Sequence, residues 1–329
     1  MKSTKWGIIG PGRIAHDFVK DLNHVNDHQQ VLAVLGRTED SAVQFAREYN
    51  IPKWYTDLDT FLSTSGVDAV YIATPHTLHY EQAKACLGKG IPVLCEKPMT
   101  INAEQATDLF ETAKENNTFL MEGMWIRFVP SICMVLDLIK KGTIGKLICL
   151  KASMSYKAPY DASSRYFNPE LGGGSLLDLG IYPVYLALQL LGKPHAIKAV
   201  GKLSDEDIDE ACSVLLHYRN GQYAILESSL VAQTELVAEI FGEKGTIKIL
   251  SPWNEKPAGI QLDLVDSGKI IYPCKWEGYG FQYEVEEMLS CLAKNKIESE
   301  LLPHQFSLDM VRTMDEIRQQ IHVKYDMFE

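Results

Sequence analysis

The 329-residue chain predicts an α/β protein of two domains, because its apolar grammar changes partway along. Over residues 1–125, short apolar runs alternate with amphipathic helical stretches, the pattern of a parallel, doubly wound sheet covered by helices on both faces. Over residues 126–329, apolar residues recur every second position between glycine turns. That predicts an α+β domain with a largely antiparallel, open-faced sheet.

Each element has its own signal. Trp6–Ile9 reads as a buried strand ending in a glycine turn. Ile14, Phe18 and Leu22 then recur at helical spacing, with Ala15 and Val19 beside them. Val31–Leu35 is a strand, and Ser41 is placed to cap the helix carrying Val43, Phe45 and Ala46. Val70–Thr74 is a strand, followed by a helix through Ala83 and Leu87 and another strand at Pro92–Cys95. Asn102 and Gln105 form a capping box for a helix with Ala103, Ala106, Leu109, Phe110 and Ala113 on its apolar side; Phe119–Met121 closes the series. In the second domain a helix spans Leu176 to Leu191. Val214, Leu216 and Tyr218 alternate with polar residues, and Asn220-Gly221 turns the chain toward Tyr223 and Ile225. Glu243-Lys244-Gly245 and Asp266-Ser267-Gly268 mark further strand pairs, and helices begin near Tyr283 and Ser307. The last helix carries a stripe of Met310, Met314, Ile317 and Ile321. Leu215 and Leu250 sit on the opposite parity from Val214, Leu216, Ile247 and Ile249. An apolar outer sheet face calls for a second copy, so a homodimer or dimer of dimers is expected.

Composition narrows the function. Apolar residues are 46% and charged residues 23% of the chain, ordinary globular values. A net charge of -11 repels phosphate backbones, so nucleic acid is not an expected partner. The seven cysteines are scattered without C-x-x-C spacing; they read as reduced core residues, and no metal site is expected. The N-terminus lacks a signal-peptide pattern, and no stretch approaches the roughly 18 apolar residues of a membrane span. The expectation is a cytoplasmic protein without a membrane partner.

Gly10-Pro11-Gly12-Arg13-Ile14-Ala15 fits G-x-G-x-x-G/A between a strand and a helix, the dinucleotide-binding context of a Rossmann fold. Gly10 makes the turn, Gly12 lets a pyrophosphate approach the backbone, and Ala15 permits close helix–strand packing. The helix N-terminus offers N–H groups to phosphate. At the tip of the second strand stand Gly36-Arg37-Thr38, with no carboxylate for a ribose 2′-hydroxyl. Arg37 can pair with a 2′-phosphate or stack on adenine, or can be an exposed loop arginine; the motif favours NADP over NAD.

Glu96-Lys97-Pro98 follows a strand at the carboxyl edge of the parallel sheet, where ligands bind. From position alone Lys97 is either a group that polarises substrate or lowers a neighbour's pKa, or a surface lysine. Gly172-Gly173-Gly174 leads into a helix on which Asp178 and Tyr182, four apart, share a face. They are either a proton-transfer pair or a capping aspartate and a core tyrosine. Trp125, Tyr156, Tyr160, Phe281 and Tyr283 are each equally readable as core or as the floor for a ring-shaped substrate.

In order, the glycine motif, Ala73-Thr74-Pro75-His76-Thr77-Leu78-His79, Glu96-Lys97-Pro98 and the triple glycine with Asp178 resemble the Gfo/Idh/MocA oxidoreductases over essentially the whole chain. Met121–Phe128 and Leu177–Tyr182 resemble the xylose and dihydrodiol dehydrogenase side of that family. The resemblance implies that Tyr182 is a general acid/base tuned by Lys97, and that Asp178 orients the substrate or Tyr182. It implies that Thr74, Pro75, His76, His79 and Glu96 lie along the cofactor with Gly10, Pro11, Gly12, Arg13, Ile14, Arg37 and Thr38, and that Trp125 and Arg127 wall the nicotinamide end. Without it, His79 reads as a helix-start residue. Inositol-type members carry His at the position of Tyr182 and Asp at that of Tyr185, so those departures favour a sugar or dihydrodiol substrate. The remaining readings are another sugar or inositol dehydrogenase or carbonyl reductase, and a non-catalytic NAD(P) sensor.

Overall fold

The computed structural model describes residues 3–26, 28–266, 268–325 and 328. Its contacts divide the chain into two units: Met1–Phe128 with Glu277–Leu308, and Val129–Trp276 with Asp309–Glu329. The single boundary expected at 125/126 lies close to the first crossing, but the chain returns to the first unit at Glu277. A helix's amphipathic pattern states that it packs, not against which sheet.

The first unit runs β1 (Thr4–Ile9), α1 (Arg13–Asp21), β2 (Gln29–Leu35), α2 (Glu39–Glu48), β3 (Lys53–Tyr55), α3 (Leu58–Thr64), β4 (Ala69–Ile72), α4 (His76–Gly88), β5 (Val93–Glu96), α5 (Ala103–Glu115) and β6 (Leu120–Gly123). Its strands pair in parallel in the order β3-β2-β1-β4-β5-β6, the Rossmann order. Both faces are covered, so all residues of β4 and β5 are buried. Val70, Ile72, Val93 and Cys95 pack with Ala83, Leu87, Leu109 and Ala113 on one side. Tyr71, on the opposite parity, stacks on Phe18 of α1 with ring centroids 3.7 Å apart. Thr38, rather than Ser41, is the N-cap of α2: its side chain accepts from the Ser41 N–H, and Ser41 closes the capping box from the third helical position.

The second unit holds α6 (Pro130–Lys140), β7 (Leu147–Ser155), a π-helical turn at Leu176–Gly180 that continues into α7 (Ile181–Leu191), and strands β8 (Ala196–Leu203), β9 (Asp209–His217), β10 (Tyr223–Ser229), β11 (Ala238–Gly242), β12 (Gly245–Ile249), β13 (Ile260–Leu264) and β14 (Gly268–Tyr272). The sheet order is β14-β13-β12-β11-β7-β10-β9-β8, antiparallel throughout except where β7 meets β10. Asn220-Gly221 turns β9 into β10 through a three-residue loop: the Gly221 N–H donates to the Tyr218 carbonyl at 3.0 Å, and Gly221 itself is left-handed at φ 85°. Glu243-Lys244 joins β11 to β12. The predicted Asp266-Ser267-Gly268 turn falls partly on Ser267, outside the described residues.

The strands alternate more cleanly than their composition suggests. Cys212, Val214 and Leu216 are buried while Ser213, Leu215 and His217 are exposed. The outer face is therefore mixed: Val200, Leu215 and Ile225 stand exposed among Lys151, Lys198 and Glu227. Leu250 lies past the end of β12, so it does not count toward that face. The run Pro169–Leu191 is long and apolar enough by composition to cross a membrane, contrary to expectation, and 83% of its apolar window is buried inside the protein.

The chain then returns to the first unit with α8 (Phe281–Leu292). Buried Asp21, at the end of α1, accepts the N–H groups of Tyr279, Gly280 and Phe281 and so fixes the start of α8. The last helix, α9 (His304–Ile321), begins in the first unit and buries Met310, Met314, Ile317 and Ile321 in the second. Cys86, Cys95, Cys149, Cys212 and Cys291 are buried, Cys274 is partly buried and Cys133 is exposed; all seven are free.

Candidate active site

The glycine turn separates two demands. Gly10 has φ +91°, and a Cβ there would sit 2.7 Å from Thr74 and 2.8 Å from the Ala73 backbone, so the fold itself requires glycine. At Gly12 a Cβ would meet no protein atom nearer than 3.9 Å. Gly12 is also the N-cap of α1 and supplies no side-chain cap, while exposed Arg13 and half-buried Ile14 begin the helix. The space above Gly12 is thus a cradle that a side chain would fill, at a helix end whose Arg13 and Ile14 N–H groups find no acceptor among the described residues. These residues fit the pyrophosphate of a dinucleotide. Pro11 is half-buried, and Ala15 is fully buried against the sheet.

The Gly10 N–H donates to the Leu35 carbonyl at 2.9 Å, which brings the end of β2 alongside the cradle. Arg37 is exposed there, without a hydrogen-bond or ion-pair partner among the described residues. The Thr38 hydroxyl is engaged in the α2 capping box, accepting from the Ser41 N–H and donating to the Ser41 hydroxyl oxygen.

Beside the cradle, the Ala73 N–H donates to the Ile9 carbonyl at 2.8 Å, and the Thr74 hydroxyl donates to Gln82 at 2.7 Å. Pro75 caps α4, and His76 opens it, buried. His79 departs from the expected place along the cofactor. It is fully buried, with Nδ1 2.8 Å from the Pro98 carbonyl and Nε2 2.8 Å from the Thr74 carbonyl. Its place between those two carbonyls makes the ring a brace between two loops, and burial lowers its pKa. Glu96 also turns inward: it accepts from the Tyr71 hydroxyl at 2.5 Å and from the Lys97 N–H at 3.2 Å. Lys97 follows β5 directly, and its peptide bond to Pro98 is cis. Glu122, which the sequence did not single out, accepts the Met99 N–H at 3.0 Å; burial pushes its carboxyl pKa up. Two buried side chains therefore hold the turn that carries Lys97.

Trp125 and Phe281 come together in the first unit, their rings stacked with centroids 5.4 Å apart. Arg127 donates its Nε–H to the Leu301 carbonyl at 2.9 Å and lies over the Phe128 ring. Tyr283, on α8, belongs to the first unit as well.

In the second unit, Asp178 lies within the π-helical turn and Tyr182 in the first turn of α7; both are buried. Such turns widen a helix locally and occur often at functional positions. Buried Asp209 fixes the start of this turn, accepting from the Ser175 hydroxyl at 2.7 Å and the Leu176 N–H at 2.6 Å. Burial raises its pKa to about 6. Asp178 is not available alone: Arg165 donates to both of its oxygens, at 2.9 and 3.4 Å. Neither Arg165 nor Asp209 carries a sequence signal, since each meets its partner across a loop of no regular period. Tyr156 and Tyr160 are exposed in the loop after β7; Tyr156 packs near Tyr166, and Tyr160 donates to Glu206 at 2.6 Å. Lys97 and the Asp178–Tyr182 pair thus stand on different units.

Residues 4–124 match the Gfo/Idh/MocA model described as an oxidoreductase family with an NAD-binding Rossmann fold, and residues 134–248 match the Gfo/Idh/MocA C-terminal domain. Over 98% of its length the chain is 34% identical to the trans-1,2-dihydrobenzene-1,2-diol dehydrogenase of Xenopus tropicalis, covering 99% of that protein. It is 32% identical to the mouse (Mus musculus) protein of the same name, covering 98% of each. Among solved structures, an aldose-aldose oxidoreductase from Caulobacter crescentus shares the fold with a TM-score of 0.89 at 21% identity, covering 98% of each chain. A 3-ketoreductase from Actinomadura kijaniata does so with a TM-score of 0.86 at 24% identity, over 97% of this chain and 98% of that one. With its dinucleotide cradle and its full-length relatives, the chain belongs to the Gfo/Idh/MocA family of NAD(P)-dependent oxidoreductases.

Proposed function

We propose that this protein is an NADP-preferring dehydrogenase acting on a ring hydroxyl or carbonyl, with a sugar of the D-xylose kind or a trans-dihydrodiol as substrate. The observation that carries the reading is Lys97, placed directly after β5 on the sheet edge where the Gly12 cradle opens. The relatives' name, trans-1,2-dihydrobenzene-1,2-diol dehydrogenase, supplies the substrate class. Bound nicotinamide would accept or return the hydride. Tyr182 takes the hydroxyl proton in oxidation and returns it in reduction. A tyrosine's ordinary pKa is about 10; a neighbouring cation favours the phenolate, and that is the role the family resemblance gives Lys97. Asp178 orients the reacting hydroxyl. Thr74, Pro75 and His76 line the dinucleotide, Arg37 meets its 2′-phosphate, and Trp125 with Phe281 supplies an apolar wall. The test is a screen of aldoses, inositols and dihydrodiols with NAD and NADP, followed by absorbance of the reduced nicotinamide. Turnover of an aldose or dihydrodiol supports the reading. Inositol turnover alone replaces the substrate, and cofactor binding without any turnover favours a sensor.

The protein further assembles, in this reading, as a homodimer or dimer of dimers through the outer face of the eight-stranded sheet. Val200, Leu215 and Ile225 there are 75%, 45% and 38% exposed, an apolar strip that a two-fold contact would bury. Light scattering at micromolar concentration should give at least the dimer mass, and Leu215→Lys with Ile225→Lys should lower it; a monomeric wild type removes the argument. Seven free cysteines fit a reducing compartment, the cytoplasm.

A further inference from the structure

We infer that Arg165 is a substrate-contacting residue that selects a polyhydroxylated ring over a sparsely hydroxylated one. The inference rests on the dehydrogenase reading above and narrows its substrate class to pyranose-like sugars.

Arg165 stands in the loop between β7 and the triple glycine. That loop is fixed at its end, because the N–H groups of Gly173 and Gly174 donate to the Asn168 and Tyr166 carbonyls at 3.0 and 2.9 Å. A Cβ at Gly173 would lie 2.9 Å from each of those carbonyl oxygens, so the loop packs onto glycine backbone. The guanidinium grips Asp178 with two prongs, at 2.9 and 3.4 Å, and lies over the Tyr166 ring at 4.4 Å.

Exposure is lopsided across the pair. The Asp178 side chain is 6% exposed and that of Arg165 is 48%. The carboxylate is closed in, while about half of the Arg165 side chain surface is open to solvent. A guanidinium has five N–H donors, and its bonds to Asp178 and Tyr166 leave others for a ligand. Because Asp178 balances the charge of Arg165, the pair is poorly suited to an anionic group. It is suited to a neutral hydroxyl, which accepts from the guanidinium. Tyr182 lies one turn beyond Asp178 in the same helical run, and in this inference the hydroxyl held by Arg165 sits on the same ring as the reacting carbinol. Tyr166 and Tyr156, with centroids 5.6 Å apart, give an aromatic surface beside the guanidinium, the apolar complement of a sugar ring face.

The experiment compares wild type, Arg165→Met and Arg165→Lys with D-xylose, a xylose analogue lacking one ring hydroxyl, and trans-1,2-dihydrobenzene-1,2-diol. Loss of a charge-assisted hydrogen bond should raise the KM for D-xylose in Arg165→Met by about tenfold to a hundredfold, with a smaller change in kcat. The ratio of kcat/KM for xylose to that for the diol should fall at least about tenfold, and Arg165→Lys should recover part of it. For the analogue lacking the contacted hydroxyl, the penalty of Arg165→Met should largely disappear. Equal losses for xylose and the diol would mean that Arg165 merely supports Asp178, and no loss for either would mean that it touches no substrate; either overturns the inference. Wild-type turnover of the diol but not the sugar overturns it while leaving the dehydrogenase reading intact. Turnover of neither compound sinks both.

Discussion

Replacing Asp209 with asparagine should make the protein's stability respond differently to pH. Asp209 is fully buried; one oxygen accepts from Ser175 and Leu176, and the other has no hydrogen-bond partner among the described residues. Burial raises its pKa from 3.8 to about 6. A carboxyl whose folded pKa exceeds its unfolded value binds protons more tightly when folded. Its contribution therefore favours the fold as pH falls through the folded pKa, and is lost as pH rises above it. A shift of this size corresponds to about 3 kcal/mol between the fully protonated and fully ionised limits, of which about 1 kcal/mol falls between pH 7 and pH 5. The asparagine side chain of Asp209→Asn cannot titrate but keeps an acceptor for the Leu176 N–H. Urea unfolding of wild type and Asp209→Asn at pH 7, 6 and 5 should show wild type gaining about 1 kcal/mol relative to the variant on acidification. Parallel stability curves, or a relative loss by wild type at pH 5, would refute the assignment of a raised pKa to this carboxyl.

Three further outcomes follow from the cofactor side. Gly10→Ala should destabilise the protein by several kcal/mol, because a Cβ there meets the Ala73 backbone at a positive φ; a melting temperature close to wild type would contradict this. Gly12→Ala should leave the melting temperature within a few degrees of wild type but weaken dinucleotide binding at least about tenfold, since its Cβ meets no protein atom nearer than 3.9 Å and projects into the cradle; calorimetric titration separates the two effects. Arg37→Ala should weaken NADP binding by about tenfold to a hundredfold and NAD far less, and equal losses would end the 2′-phosphate role.

Local signals in the sequence reached far. The strand–helix alternation, the Gly10–Ala15 turn, the Asn220-Gly221 hairpin and the stripe of α9 each appear as expected, because neighbouring residues alone determine them. The Asn102 side chain accepts the Gln105 N–H as a cap should, and the Gln105 side chain accepts the Ile101 N–H. What was not legible depends on partners distant in sequence. The parallel β7–β10 pair has no periodic signature. The capture of α8 by the first unit depends on Asp21, more than 250 residues before it. Polar residues of the recognisable motifs were the hardest to assign. Thr38, His79 and Glu96 stand beside cofactor-facing positions, yet each spends its side chain on a cap or a buried brace. Residue type and spacing do not distinguish a group that touches a ligand from one that holds its neighbour.

The central claim is that this chain moves hydride between NADP and a ring carbinol with Tyr182 as the proton-transfer group. It is tested most directly by single-turnover kinetics of reduced nicotinamide formation with wild type and Tyr182→Phe, using the substrate the screen identifies. Wild type should form reduced nicotinamide, and Tyr182→Phe should do so about a hundredfold to ten-thousandfold more slowly, with NADP affinity nearly intact. A wild-type hydride-transfer rate in Tyr182→Phe would contradict the account.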